Sequence, residues 1–166
     1  TNERVLEILH QNSTIQGLKT TKGSYDFDLV VSNMDIHYTY ERLLPSVKSP
    51  RFLLKQEKSS SAVVFYWGIS RAFPALGVHN IFFAEDYQAE FKAIFETKTL
   101  HPDPTVYVHI SSKVETADAP AGKENWFVMV NAPINVGQDW DSEIQLLRQR
   151  ILAKLSKALA LDIEPL

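Results

Sequence analysis

The sequence predicts an α+β fold, a mixed β-sheet of about six or seven strands flanked by helices. Three observations carry that expectation. The strand-like segments come in clusters instead of alternating strictly with helices. Most of these segments are apolar at every position or at every second one. A long amphipathic segment then follows, with its charges sorted by sign along its length. The chain has 166 residues and 45% hydrophobic residues, enough for a real core, since chains near 150 residues bury about 68–70% of their unfolded surface.

Arg4 to Leu9 carries apolar Val5, Leu6, Ile8 and Leu9 and reads as a strand. Ile15 to Lys19 and Tyr25 to Val31 flank Lys22-Gly23-Ser24, the sequence of a hairpin turn. Leu29-Val30-Val31 is wholly apolar, as in a buried strand. Ser32-Asn33 is a helix N-cap with Asp35 in the first turn, and Ile36, Tyr40, Leu43 and Leu44 then mark one helical face up to Pro45. Ser61 to Ile69 is the richest β segment. It is apolar on both faces, so it is expected to be central and covered on both sides.

Ile81-Phe82-Phe83 follows the breakers Pro74 and Gly77 as a short strand. Tyr87, Phe91, Ile94 and Phe95 repeat at helical spacing, with Glu85 and Asp86 before them. Thr105 to Ile110 alternates and Trp126 to Val130 is apolar, giving two more strands. From about Asp139 to Leu161 the stripe Ile144, Leu147, Ile151, Leu155 and Leu159 marks a long helix. It is acidic at its start and basic in its second half.

Composition excludes several kinds of chemistry. Seventeen basic against twenty acidic residues, a net charge of -3, generate no field for nucleic acid. The chain has no cysteine, which excludes disulfides, thiolate metal sites and cysteine nucleophiles and fits a reducing compartment. The longest apolar run, Ala62 to Ile69, falls short of the roughly 20 residues a spanning helix needs. No GxGxxG, P-loop, HExxH or GxSxG motif is present.

His10, His37, His79, His101 and His109 include no pair at helical ligand spacing, so no metal is assigned. His109, between Val108 and Ile110 and facing away from them, reads as a strand histidine rather than a catalytic base. Glu85, Asp86 and Glu90 read as a solvated helix start. Arg148, Arg150, Lys154 and Lys157 suit a solvated helix end better than a lipid-headgroup site. The aromatic load leaves two readings open. Phe65, Tyr66, Trp67, Phe73, Phe82, Phe83, Tyr107, Trp126 and Phe127 either fill a core or line a tunnel for a long apolar ligand.

The string carries more than its periodicities. Ser59 to Gly68, His79 to Phe83, Asp86 to Phe95, Asp103 to His109, Asp118 to Gly122 and Trp126 to Pro133 fall in an order that resembles the bacterial-type phytoene desaturases, FAD-dependent carotenoid oxidoreductases. Upstream, Asp28 to Asp35 (DLVVSNMD) resembles that family's A-D-x-V-V-S-N-x-D stretch. The likeness runs over nearly the whole chain, but the family's N-terminal dinucleotide fingerprint and C-terminal flavin segment have no counterpart here. With Thr1 leading straight into a strand and Leu166 following a helix without closure, the expectation is an internal piece of a longer α/β flavoprotein, inactive alone.

The resemblance implies that residues 1–44 are a small part of an FAD-binding domain and residues 45–166 a segment of the substrate-binding domain. It implies a desaturase introducing double bonds into a long isoprenoid, with a carotenoid isomerase or oxidase, or a non-catalytic lipid-binding module, as alternatives. By analogy Val5, Ser32 and Asn33 lie at the FAD, and Phe65, Trp67, Tyr107 and His109 on one face of the central strands line the substrate wall. No catalytic residue is assigned. An insoluble substrate implies peripheral association of a cytoplasmic protein with a membrane.

Overall fold

The computed structural model describes residues 2–166, which form two compact units, one reaching to Glu57 and one from Lys58 to Leu166. The first unit is built on an antiparallel sheet of β1 (Val5–Gln11), β2 (Thr14–Thr20) and β3 (Ser24–Asp26) in that order. β1 and β2 are joined through Asn12 and Ser13, both left-handed (φ 49° and 63°). That is the conformation a two-residue hairpin needs and one that asparagine tolerates. Gly17 pairs with both neighbours. A Cβ there would stand 1.9 Å from the Tyr25 carbonyl oxygen, so only glycine allows β3 to approach.

The predicted strand at Leu29 to Val31 is not formed. The segment is irregular, with Leu29 78% and Val31 85% exposed. Its apolar run has no ladder partner among the described residues, and pattern without a partner does not make a strand. The helix cap also moves. Asp35, not Ser32 or Asn33, caps α1 (Ile36–Tyr38) by accepting the His37 N–H at 2.9 Å. α1 widens into an i→i+5 turn over Thr39–Leu43, whose Leu43 is the buried anchor. α2 (Arg51–Leu54), which no periodicity signalled, follows Pro50.

The second unit holds β4 (Ser61–Ile69), β5 (His79–Phe82), β6 (Val106–His109) and β7 (Glu124–Ala132) in one antiparallel sheet ordered β4-β7-β6-β5. The seven described strands thus make two wholly antiparallel sheets, not one mixed sheet, since every paired strand runs opposite to its neighbour. β4 is an edge strand, opposite to the sequence expectation, and β7 a central one. The edge of β4 is met by the chain near Leu166, whose N–H donates to the Gly68 carbonyl.

α4 (Trp140–Leu159) covers one face of this sheet. Asp139 caps it, accepting from Ser142, and Leu147, Ile151 and Leu155 are fully buried in a cluster with Trp67, Trp126, Val106, Val108, Val128 and Val130. The alternation of β7, buried at Glu124, Trp126, Val128, Val130 and Ala132 and half-exposed between them, records one covered and one uncovered face. α3 (Tyr87–Lys92), capped by Asp86, widens into a second i→i+5 turn over Ala93–Thr97.

Candidate functional site

Pairing register sorts the aromatic residues. Phe65 pairs with Val128, which pairs with Val108. Trp67 pairs with Trp126. These side chains share the face under α4. Tyr66 pairs with Phe127, which pairs with His109, and Tyr107 pairs with Met129 and Ile81. These share the opposite face, on which no α-helix of the described residues is packed in the core cluster. Phe65, Trp67, Tyr107 and His109 therefore do not lie on one face. Counting odd positions along two separate strands missed that β4 and β6 are out of phase, with Phe65 level with Val108 across β7.

The uncovered face carries a band of rings running from strand to strand. Tyr66 meets Phe127 edge-on at 5.5 Å between centroids, and Phe127 meets Tyr107 edge-on at 6.4 Å. Tyr107 stacks on His79 at 6.1 Å, and its hydroxyl shares a 2.7 Å hydrogen bond with His79 Nδ1. His79 in turn stacks on His109 at 5.0 Å. Tyr66 is 80% and Ile81 55% exposed. Beside the band a groove of about 420 Å³ is lined by Tyr66, Trp67, Gly68, His109, Ser111, Asn125, Trp126 and Phe127.

The polar rim of this groove is held rigidly. Asn125 Nδ2 donates to Ser111 Oγ at 2.7 Å, its Oδ1 accepts the Ser112 N–H at 3.0 Å, and the Ser111 hydroxyl donates to Asp118. Beneath it, buried Glu124 accepts from Trp126 Nε1 at 2.8 Å and from the Phe73 N–H at 3.0 Å, and pairs with Lys113 at 2.6 Å. Burial pushes the Glu124 carboxyl up, but the hydrogen bonds from Lys113, Phe73 and Trp126 outweigh it and hold the group below the ordinary carboxylate range.

A carboxylate and a lysine expected to be solvated, Glu90 and Lys154, do structural work. Glu90 is 0% exposed and accepts from the Thr105 N–H at 2.9 Å and hydroxyl at 2.6 Å, tying α3 to the start of β6. Asp103 takes the Lys154 ammonium at 2.6 Å. Lys154 also donates to the Phe83 carbonyl, so it belongs to an internal link and not to a solvated stripe.

The three residues assigned by resemblance to FAD are placed apart in kind. Val5 is half-buried on β1, opposite Thr20. Ser32 and Asn33 are exposed on the irregular segment before α1, and the Ser32 hydroxyl is bonded to that of Thr39 at 2.9 Å. They supply no cation and no glycine-rich run of N–H groups for a pyrophosphate. These residues alone do not fit the phosphates of a dinucleotide. Among the described residues no His, Asp or Glu cluster suits a metal ion, and no helix is long and apolar enough to cross a membrane.

No family model matches the chain. Among curated proteins it is 49% identical over 164 residues to a 1-hydroxycarotenoid 3,4-desaturase of Flavobacterium sp., covering 99% of this chain and 34% of that protein. It is 33% identical over 160 residues to a phytoene desaturase of Fusarium fujikuroi (84% of this chain, 28% of that protein). It is 32% identical over 164 residues to a 4,4'-diapolycopene oxygenase of Methylomonas sp. (92% and 32%). The fold matches part of an oxidoreductase of Methanosarcina mazei with a TM-score of 0.60 at 14% identity, over 100% of this chain and 36% of that one. The chain spans about a third of the length of these curated relatives, and over that span it belongs to the carotenoid desaturase family.

Proposed function

We propose that this chain is part of an oxidoreductase that introduces double bonds into a long isoprenoid of the carotenoid class, and that its uncovered aromatic face forms the substrate wall. The observation that carries this reading is a four-stranded sheet sealed by α4 on one side and lined on the other by the rings of Tyr66, Phe127, Tyr107 and His79, with Tyr66 80% exposed and His79 exposed. An exposed ring surface of this kind suits an extended apolar ligand. Residues 1–44 then belong to the FAD-binding part and residues 45–166 to the substrate-binding part.

FAD is the cofactor of this reading. Val5, Ser32 and Asn33 would edge its adenine end, and its phosphates would be held by other parts of the protein. Tyr107 and His109 touch the substrate, while Phe65 and Trp67 support the wall from behind. This chain's side chains orient the substrate and exclude water. An insoluble substrate places the intact protein at a membrane surface. A second reading, an oxidase of the same family, is favoured by the Methylomonas relative named as an oxygenase.

The test uses the intact protein with an acyclic carotenoid, following the loss of hydrogen by mass and the gain of conjugation by absorbance. Ile81→Asp puts a charge on the exposed wall and should cut conversion at least tenfold with an unchanged melting temperature, since an unpaired charge against a hydrocarbon is costly. Unchanged conversion in that variant removes the wall from this face.

A further inference from the structure

The ring band is not uniform: it is phenyl and phenol over β4, β7 and β6 and imidazole at its far end. Most polar atoms around the adjoining groove are spent within the protein. Ser111 serves Asp118 and Asn125, Asn125 also holds the Ser112 N–H, and the Trp126 indole holds Glu124. Tyr107 and His79 share their own bond. The exception among the lining imidazole, amide and serine groups is His109. It is half-buried and held in place by stacking on His79, and neither of its ring nitrogens has a hydrogen-bond partner among the described residues. A neutral imidazole offers one donor and one acceptor, the complement of an alcohol, which both accepts and donates.

We infer that His109 is a specificity-determining residue that binds a single hydroxyl on one end of an otherwise apolar polyene, whose chain lies along the Phe127 and Tyr66 rings. The inference rests on the substrate-wall reading above and goes beyond it by fixing which end of the ligand lies where. The stack on His79, itself tied to Tyr107, holds the imidazole in place before the ligand arrives, so little side-chain entropy is lost on binding. A hydrophobic wall alone discriminates poorly against an added or missing hydroxyl. A group built to pair with that hydroxyl discriminates well, because the analogue lacking it leaves the imidazole desolvated and unpaired.

The experiment titrates the intact protein with two acyclic carotenoids that differ only in one terminal hydroxyl, reading the quenching of tryptophan fluorescence, since Trp67 and Trp126 border the groove from the covered side of the sheet. Conversion of each is measured in parallel. The wild type should bind the hydroxylated ligand more tightly. His109→Leu should weaken that ligand about tenfold more than it weakens the other, while His109→Gln, which keeps a donor and an acceptor, should restore most of the preference. Equal effects of His109→Leu on both ligands, or none on either, overturn the assignment while leaving the wall in place. A wild type that binds and converts neither ligand overturns the substrate-wall reading, and the assignment falls with it.

Discussion

Glu124 is a carboxylate almost sealed from water, and its partners decide what that burial costs. Lys113 at 2.6 Å, the Trp126 indole and the Phe73 N–H occupy its oxygens, and Lys113 itself donates to the Phe73 carbonyl at 2.7 Å. The group is therefore held charged, with its folded pKa below the unfolded value of about 4.3. A depressed carboxylate stabilises the fold at pH values above the unfolded pKa and loses that contribution as pH falls through the folded one. Urea midpoints should accordingly stay level from pH 8 to about 5 and decline below about 4.5. Glu124→Gln, which leaves the part-buried Lys113 without a counter-charge, should cost about 3 kcal/mol at pH 7. It should also flatten the acid decline. An unchanged acid limb in the variant would place the pH sensitivity elsewhere, at Asp103 for example, whose carboxyl is raised by burial and pulled down further by Lys154.

At the scale of elements, local geometry fixes pairings that side-chain pattern does not reveal. β2 joins β1 to β3 because Gly17 lets the Tyr25 carbonyl come within what would be 1.9 Å of a Cβ. Gly17→Ala should peel β3 away at a cost of about 3 kcal/mol or more, visible as lost amide-exchange protection at Leu18 and Tyr25 while the β1–β2 hairpin keeps its own. The sequence made the long helix legible because Leu147, Ile151 and Leu155 recur at its period and Asp139 caps it. It made the strands legible where they alternate. It misled at Leu29 to Val31, where apolarity marks a need for a partner without supplying one, and at β4, whose two apolar faces suggested a central strand although one of them is open. The two i→i+5 turns, at Thr39–Leu43 and Ala93–Thr97, have no residue signature and are set by packing. The split of the predicted site across two faces follows from register, a long-range property that no single strand encodes.

At the scale of the molecule, the second unit separates stability from recognition across the thickness of one sheet, and the separation is sharp enough to appear between adjacent residues. Trp67 is 7% exposed in the cluster under α4, whereas Tyr66, one position earlier, is 80% exposed on the ring band. Trp67→Ala removes a large ring from a packed core and should lower unfolding free energy by about 3–5 kcal/mol. Tyr66→Ser touches no core and should stay within about 0.5 kcal/mol of the parent in urea titrations. Ligand affinity should show the reverse order. Loss of the Tyr66 ring removes an aromatic contact worth about 0.5–1.5 kcal/mol, a two- to tenfold weakening of carotenoid binding. The Trp67 variant, measured at low temperature where it remains folded, should bind within a factor of two of the parent, because its ring supports the wall without facing the ligand. The pair also tests the direction of the fold's design, since a substrate lying under α4 would interchange the two phenotypes. Destabilisation by Tyr66→Ser together with weakened binding by Trp67→Ala would mean that the helix-covered face, and not the open one, meets the polyene.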